Sequence, residues 1–247
     1  MAIHESHPRS FADLLDGDAW MRLPEEVRRR FSRPFHPGMT TCYRGRIVGT
    51  YLSCAGRVVA HLARLIGAPL PLNDEAGLAT VVVTDHPGTG GQVWTRLYHS
   101  RDGMPQVIQS VKRLAGLTGL EEDLGAGFAI ALELSVEHGA LVFTGRHYSW
   151  RMAGIRLPLP SWLTPGTLTV RNWQGPGSRF YFSLALEHPR LGLLIHQQLR
   201  FDDNATSIAC ADAGSKTAWG GVATPTPTLT PTPTPTLTPT PTPTLTP

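Results

Sequence analysis

Trp94, Arg96 and Tyr98 place an arginine between two aromatic rings at every second residue. Alternate side chains of an extended chain share a face, so this spacing builds a strip on which a guanidinium fork can take a carboxylate or phosphate while the rings stack beside it. Arg146, Tyr148 and Trp150 repeat the pattern further along. Two such strips on one wall make a pocket for an amphipathic small molecule. The plainer alternative is an arginine packed between rings on a solvated sheet, and the sequence leaves both open. Glu122, which with Glu121 falls in a short connection, and His99 and His147 are the weaker acid/base candidates. A carboxylate there serves either as a general base or as a turn cap.

Other chemistries find no pattern. None of the ten histidines falls in an H-x-x-x-H or H-x-x-E-H spacing, and Cys42, Cys54 and Cys210 form no C-x-x-C pair, so no metal site is expected. No G-x-S-x-G elbow is present. Gly125-Ala126-Gly127 is the nearest approach to a dinucleotide fingerprint, but Ile130 stands where the third glycine belongs and a strand follows instead of a helix. No cofactor is expected. The net charge of +3 is spread thinly, with Lys112 and Lys216 the only lysines and Arg28 to Arg30 the sole tight run, so nucleic acid is not an expected partner. The cysteine count suits a reducing compartment, the N-terminus is polar through Arg9, and no window holds a membrane span; the cytoplasm is the expected location.

The elements that must carry these residues read as follows. Ser10 with Asp13 opens a short helix from Phe11 to Asp16, and Pro24 opens a second that ends before Pro34. Over Ala55 to Ile66 the residues Val58, Val59, Leu62, Leu65 and Ile66 share one face and Arg57, His61 and Arg64 the other, which predicts a helix packed by its apolar side on a sheet. Strands follow. Phe128 to Glu137 alternates strictly, and His138-Gly139 turns it into Leu141 to Trp150. Similar alternation marks Leu78 to Thr84, Gln92 to His99, Gln106 to Leu114, Thr167 to Trp173, Arg179 to Glu187 and Leu191 to Phe201. Hairpin-length links between sequential strands predict an antiparallel meander. A twisted sheet of that size curls into a half-barrel around the helix. The segment Gly154 to Pro165, stiffened by Pro158, Pro160 and Pro165 around Trp162, is expected to plug the open end of the half-barrel or to form a lid or an interaction edge.

Several of these pieces resemble the family catalogued as domain of unknown function 4166. They are Phe11-x-x-Leu14-Leu15 with Trp20 and Leu23-Pro24-x-x-Val27-Arg28; Tyr43-Arg44-Gly45; Leu65-Ile66-Gly67-Ala68-Pro69; Val93-Trp94-Thr95-Arg96; Glu121-Glu122-Asp123-Leu124-Gly125; Gly154 to Leu163; Phe180-x-Phe182; and His188-Pro189-x-Leu191-Gly192. The likeness runs from about Phe11 to Phe201. Asp123-Leu124 departs from it, standing where Arg-Phe is usual. The resemblance implies no catalytic residues; it implies association with NAD(P)-binding dehydrogenase-like modules.

The expected organisation is a flexible N-terminus over 1–9, one α+β domain over 10–203, a linker over 204–222 and a disordered Thr/Pro tail over 223–247. The tail is built from Ala, Thr, Pro and Leu alone and has nothing with which to make a core. The domain is expected to have a curved antiparallel sheet packed on one longer helix, with two short N-terminal helices. The expected function is a non-catalytic or accessory binding module for an amphipathic small molecule or a dehydrogenase-like partner, with Trp94, Arg96, Tyr98, Arg146, Tyr148, Trp150 and Trp162 as ligand contacts. The alternatives are a cofactor-free isomerase or cyclase using Glu122, His99 or His147, and a purely structural partner domain.

Overall fold

The computed structural model describes residues 10–32, 39–65, 70, 77–86, 91–99, 105–116, 118–203 and 206–209. The stretches 1–9 and 223–247 lie outside them, as does the expected linker except for 206–209. The chain divides into Met1–Asp212 and Ala213–Pro247, and all that follows concerns the first unit.

Ten strands form a closed antiparallel ring. In chain order they are β1 (Met39–Leu52), β2 (Leu78–His86), β3 (Gly91–Tyr98), β4 (Gln106–Arg113), β5 (Leu120–Gly125), β6 (Phe128–Glu137) and β7 (Ala140–Met152), and then, after a short β8 (Ile155–Pro158), β9 (Thr167–Gln174), β10 (Arg179–His188) and β11 (Gly192–Asp202). Pairing of β1 with β11, from Gly45 opposite Phe201 to Leu52 opposite Ile195, closes the ring. β8 pairs only with the end of β7, and β12 (Thr206–Ala209) pairs with the start of β1.

The meander is as expected, but the half-barrel is not. Two strands that the sequence pattern does not reveal make the difference. β5 bridges β4 and β6, and β1 bridges β2 and β11. With both in place no edge remains open around the ring.

The helix expected in the middle of the sheet is a second correction. α1 (Gly17–Met21) and α2 (Glu25–Phe31) precede the barrel, and α3 (Cys54–Leu65) follows β1. α3 starts where expected, with the Gly56 amide donating to Ser53 Oγ at 3.0 Å. It meets the barrel through small residues, Gly56 and Ala60, which let it lie close against β11. Val58, Leu62 and Leu65 face solvent instead, Leu65 being 82% exposed.

The element that enters the barrel is α2. Val27 and Phe31 are buried, and the Phe31 ring stacks on Trp94 at 6.5 Å and lies 5.8 Å from Phe143. Phe11 adds edge contacts to Phe31 and Phe143 at 5.7 and 5.6 Å. Apolar residues two and three turns apart would be needed for a long amphipathic face. Seven residues suffice here because Val27 and Phe31 are both buried and Phe11, from outside the helix, packs against the Phe31 ring. The Gly154 to Pro165 segment therefore does not plug the barrel; its 3-10 turn Ser161–Leu163 carries Trp162 on the outside, 79% exposed.

Candidate functional site

Three neighbouring strands bring charge into the barrel. On β3 the alternate residues Trp94, Arg96 and Tyr98 turn inward, with Trp94 and Tyr98 buried. On β4 the inward set is Ile108, Ser110 and Lys112, and on β5 it includes Leu120 and Glu122. Cross-strand register sets Trp94 opposite Ser110 and Lys112 opposite Glu122. Arg96 is one pair removed, diagonal to Ser110, within reach of a long side chain.

The polar groups converge on one oxygen. Glu122 Oε1 accepts from Ser110 Oγ at 2.6 Å and from Lys112 Nζ at 2.8 Å, and Arg96 Nη2 stands 3.7 Å away. Arg96 Nη1 donates to Ser110 Oγ at 3.1 Å. Lys112 also lies 4.9 Å over the Trp94 ring, and the Arg96 guanidinium lies 5.9 Å from it. Burial on its own would raise the Glu122 carboxyl; the Lys112 and Arg96 charges outweigh it and hold the group down at about 2. Burial pulls Lys112 down to about 8 against the pull of Glu122 in the other direction. The pair is thus ionised at neutral pH. Burial raises Tyr98, with Arg96 opposing, and raises Tyr148, with the Glu122 charge adding to the effect.

Two small cavities lie on either side of the wall formed by Trp94 and Phe182. One, of about 40 Å³, joins Arg96 and Lys112 to an apolar side that includes Phe143, Val170, Leu199 and Phe201. The other, of about 30 Å³ at the α2 end, lies among Arg30, Tyr43, Asp85, Gln92 and Phe180. Each has room for roughly two or three waters. At the α2 end Arg30 sits 4.2 Å over the Phe180 ring, pairs with Asp203 at 3.1 Å and donates to Gln174 at 2.9 Å. Gln92 Nε2 donates to Asp85 Oδ1 at 2.9 Å.

The second aromatic strip is split. A bulge in the β6–β7 pairing, between Ala131 and Leu132, adds a residue to β7 at Arg146. Tyr148 faces the core, while Arg146 lies on the exposed side with Glu133. The extra residue inverts the alternation that the sequence implies. Trp150 stacks on Phe128 at 5.8 Å and donates to the Ala126 carbonyl at 3.1 Å. Trp162 is remote from the interior cluster in exposure as well as in sequence. Glu121 and Glu122 also part company: Glu121 faces outward, where Arg156 grips it with both terminal nitrogens, at 2.6 and 2.7 Å, and Arg151 lies at 3.2 Å. His99 and His147 are exposed. Of the acid/base candidates, only Glu122 is inside.

Sequence reasoning missed Ser110, Lys112, Asp85, Gln92 and Gln197, all of them buried. Lys112 had one signal, its rarity, since it is one of two lysines in the chain. Among the described residues no three His, Cys, Asp or Glu side chains group as metal ligands. No described helix is long and apolar enough to cross a membrane.

The fold is thus a closed antiparallel barrel with a charged interior. The model for the domain of unknown function DUF4166 matches residues 23–201, and the chain belongs to that family. The match takes in all of the barrel strands but Asp202, the last residue of β11. Neither a curated protein nor a solved structure matches the chain.

Proposed function

We propose that the domain is a binding module that takes an amphipathic small molecule into the barrel. The observation that carries this is the cavity beside Trp94, where Arg96 and Lys112 face Phe143, Val170, Leu199 and Phe201 across one space. Ligand sites pair an apolar lining with a few placed polar groups in this way. The cavity is small, so a molecule larger than a few atoms requires Phe182 or the Phe31 plug to shift. An acid/base role has less support, because a carboxylate held near 2 by two cations is a weak base. A dehydrogenase-like partner is the second reading, supported by the exposed Val58, Leu62 and Leu65 of α3.

Native mass spectrometry of the full chain purified from its own cells tests the proposal. A retained small molecule, lost when Arg96 is replaced by Gln, supports the binding module. A chain of unadorned mass that also gives no thermal shift with a panel of small amphiphiles overturns it.

A further inference from the structure

The interior cluster has more hydrogen-bond donors than acceptors. Arg96 makes one hydrogen bond among the described residues, to Ser110, and its 3.7 Å approach to Glu122 is too long for a second. Most of its five N–H groups are uncommitted. Lys112 spends one of three donors on Glu122 and directs its charge over an aromatic ring. Trp94 Nε1 and Arg30 Nε, which belong to residues lining the two cavities, are buried without an acceptor. Among the described residues, all four buried side-chain polar atoms lacking partners are N–H donors. Unmet donors are costly out of water, and what would meet them is an acceptor.

Charge points the same way. Around the larger cavity Arg96 and Lys112 stand against one carboxylate, Glu122, which leaves one positive charge in excess. Asp85 lies beyond Trp94 on the smaller cavity, where Gln92 holds it. The larger space has room for a carboxylate and a carbon or two, and its remaining wall is apolar. A planar carboxylate fits the Arg96 fork, whereas a tetrahedral dianion would bring a second charge and more bulk than the space allows.

Resting on the reading of the barrel as a small-molecule binder, we infer that its ligand is a short monocarboxylate, seated with its oxygens toward Arg96 and Lys112 and its carbons toward Phe143, Val170 and Leu199. Glu122 is then the resident acceptor with which the ligand competes. That competition sets the sign of one variant: Glu122→Gln removes the rival charge and tightens carboxylate binding. A purely structural Glu122 has no such effect.

Calorimetric titration of the full chain with sodium acetate, propionate and hexanoate tests this, with sodium chloride at equal ionic strength, 1-propanol, n-propylammonium and inorganic phosphate as comparisons. The expected result is saturable binding of propionate, with at least a tenfold loss in Arg96→Lys, where charge remains but the fork is gone, and a gain of about tenfold in Glu122→Gln. Thermal melts of both variants accompany the titrations, so a folding defect is not read as lost binding. Equal affinity for 1-propanol and propionate overturns the carboxylate inference and leaves the small-molecule reading standing. Preference for propylammonium or phosphate overturns it likewise. No binding of any compound by a chain with normal melting overturns both, with the cavities then holding water alone.

Discussion

Lys112 Nζ lies 2.8 Å from Glu122 Oε1, directly across the β4–β5 pairing, with side chains 4% and 5% exposed. Removing one member of a buried pair strands the other. Lys112→Met is therefore expected to cost about 3 kcal/mol of folding stability, since Ser110 and Arg96 still serve the carboxylate. Lys112→Met combined with Glu122→Leu should recover part of that loss, because neither member of the pair then remains to be desolvated, while the partly exposed Arg96 loses its counter-charge. Urea denaturation with unchanged m-values is the measurement. A double variant as unstable as the single one contradicts this account.

Acid should act through Glu122. Its carboxyl falls from 4.5 to about 2 on folding, because Lys112 and Arg96 outweigh the opposing effect of burial. A depressed native pKa gives stability that is complete above the unfolded value and drains away as pH falls through the native one. Stability should thus decline between pH 4.5 and about 2, and Glu122→Gln should flatten that part of the curve. Melting temperature against pH for both proteins decides it; identical slopes would show that other carboxylates govern the acid limb.

Gly45 is expected to resist substitution. It pairs with Phe201, and an added methyl would meet the Arg200 carbonyl and the Phe201 ring. Gly45→Ala should cost about 1–3 kcal/mol through overpacking. Gly49 in the same strand, with open space around it, should tolerate alanine with a change within about 0.5 kcal/mol. Thermal melts of the two variants read the contrast directly.

On α3 the ordinary expectation for leucine and alanine reverses. Leu62→Ser should change stability by no more than about 0.5 kcal/mol, since Leu62 is 57% exposed. Ala60→Leu should cost about 1–3 kcal/mol, because Ala60 is fully buried against the barrel. If Leu62→Ser proves the more damaging, the apolar stripe is covered in solution.

The legible parts of this chain are those where side-chain type and orientation agree. Phe128 to Glu137 alternates large apolar with small or charged residues, so β6 announces itself. β5 does not, because Glu121, Glu122 and Asp123 make a poor strand by composition. Their counter-charges, Arg156, Lys112 and Arg113, come from other strands, and nothing local signals them. β1 is masked in the same way by Gly45 and Gly49 and by the exposed Arg44 and Arg46. The Trp94, Arg96 and Tyr98 strip could be found by its period of two. Which face turned inward could not, since Val93 and Leu97 supply an equally plausible apolar side. Lys112 hid for a related reason: Val107 and Val111 suggest the opposite inner face of β4, yet Val107 is 50% exposed. Hydropathy reports the cost of burying a residue alone, and these residues are buried in company.

The joint between β1 and β11 also sets an order of events during synthesis. β1 leaves the ribosome first of the strands, and residues 195–201, with which it must pair, follow about 150 residues later. At bacterial or eukaryotic elongation rates that interval is on the order of ten to thirty seconds. Throughout it the nascent sheet can grow hairpin by hairpin from β2 onward, each strand finding its neighbour locally, but its first edge stays unpaired. Such an edge is a template for other chains. The long-range contact that closes the barrel is thus among the latest and slowest to form, and the period before it forms is when this protein is most open to capture by chaperones or by a second copy of itself.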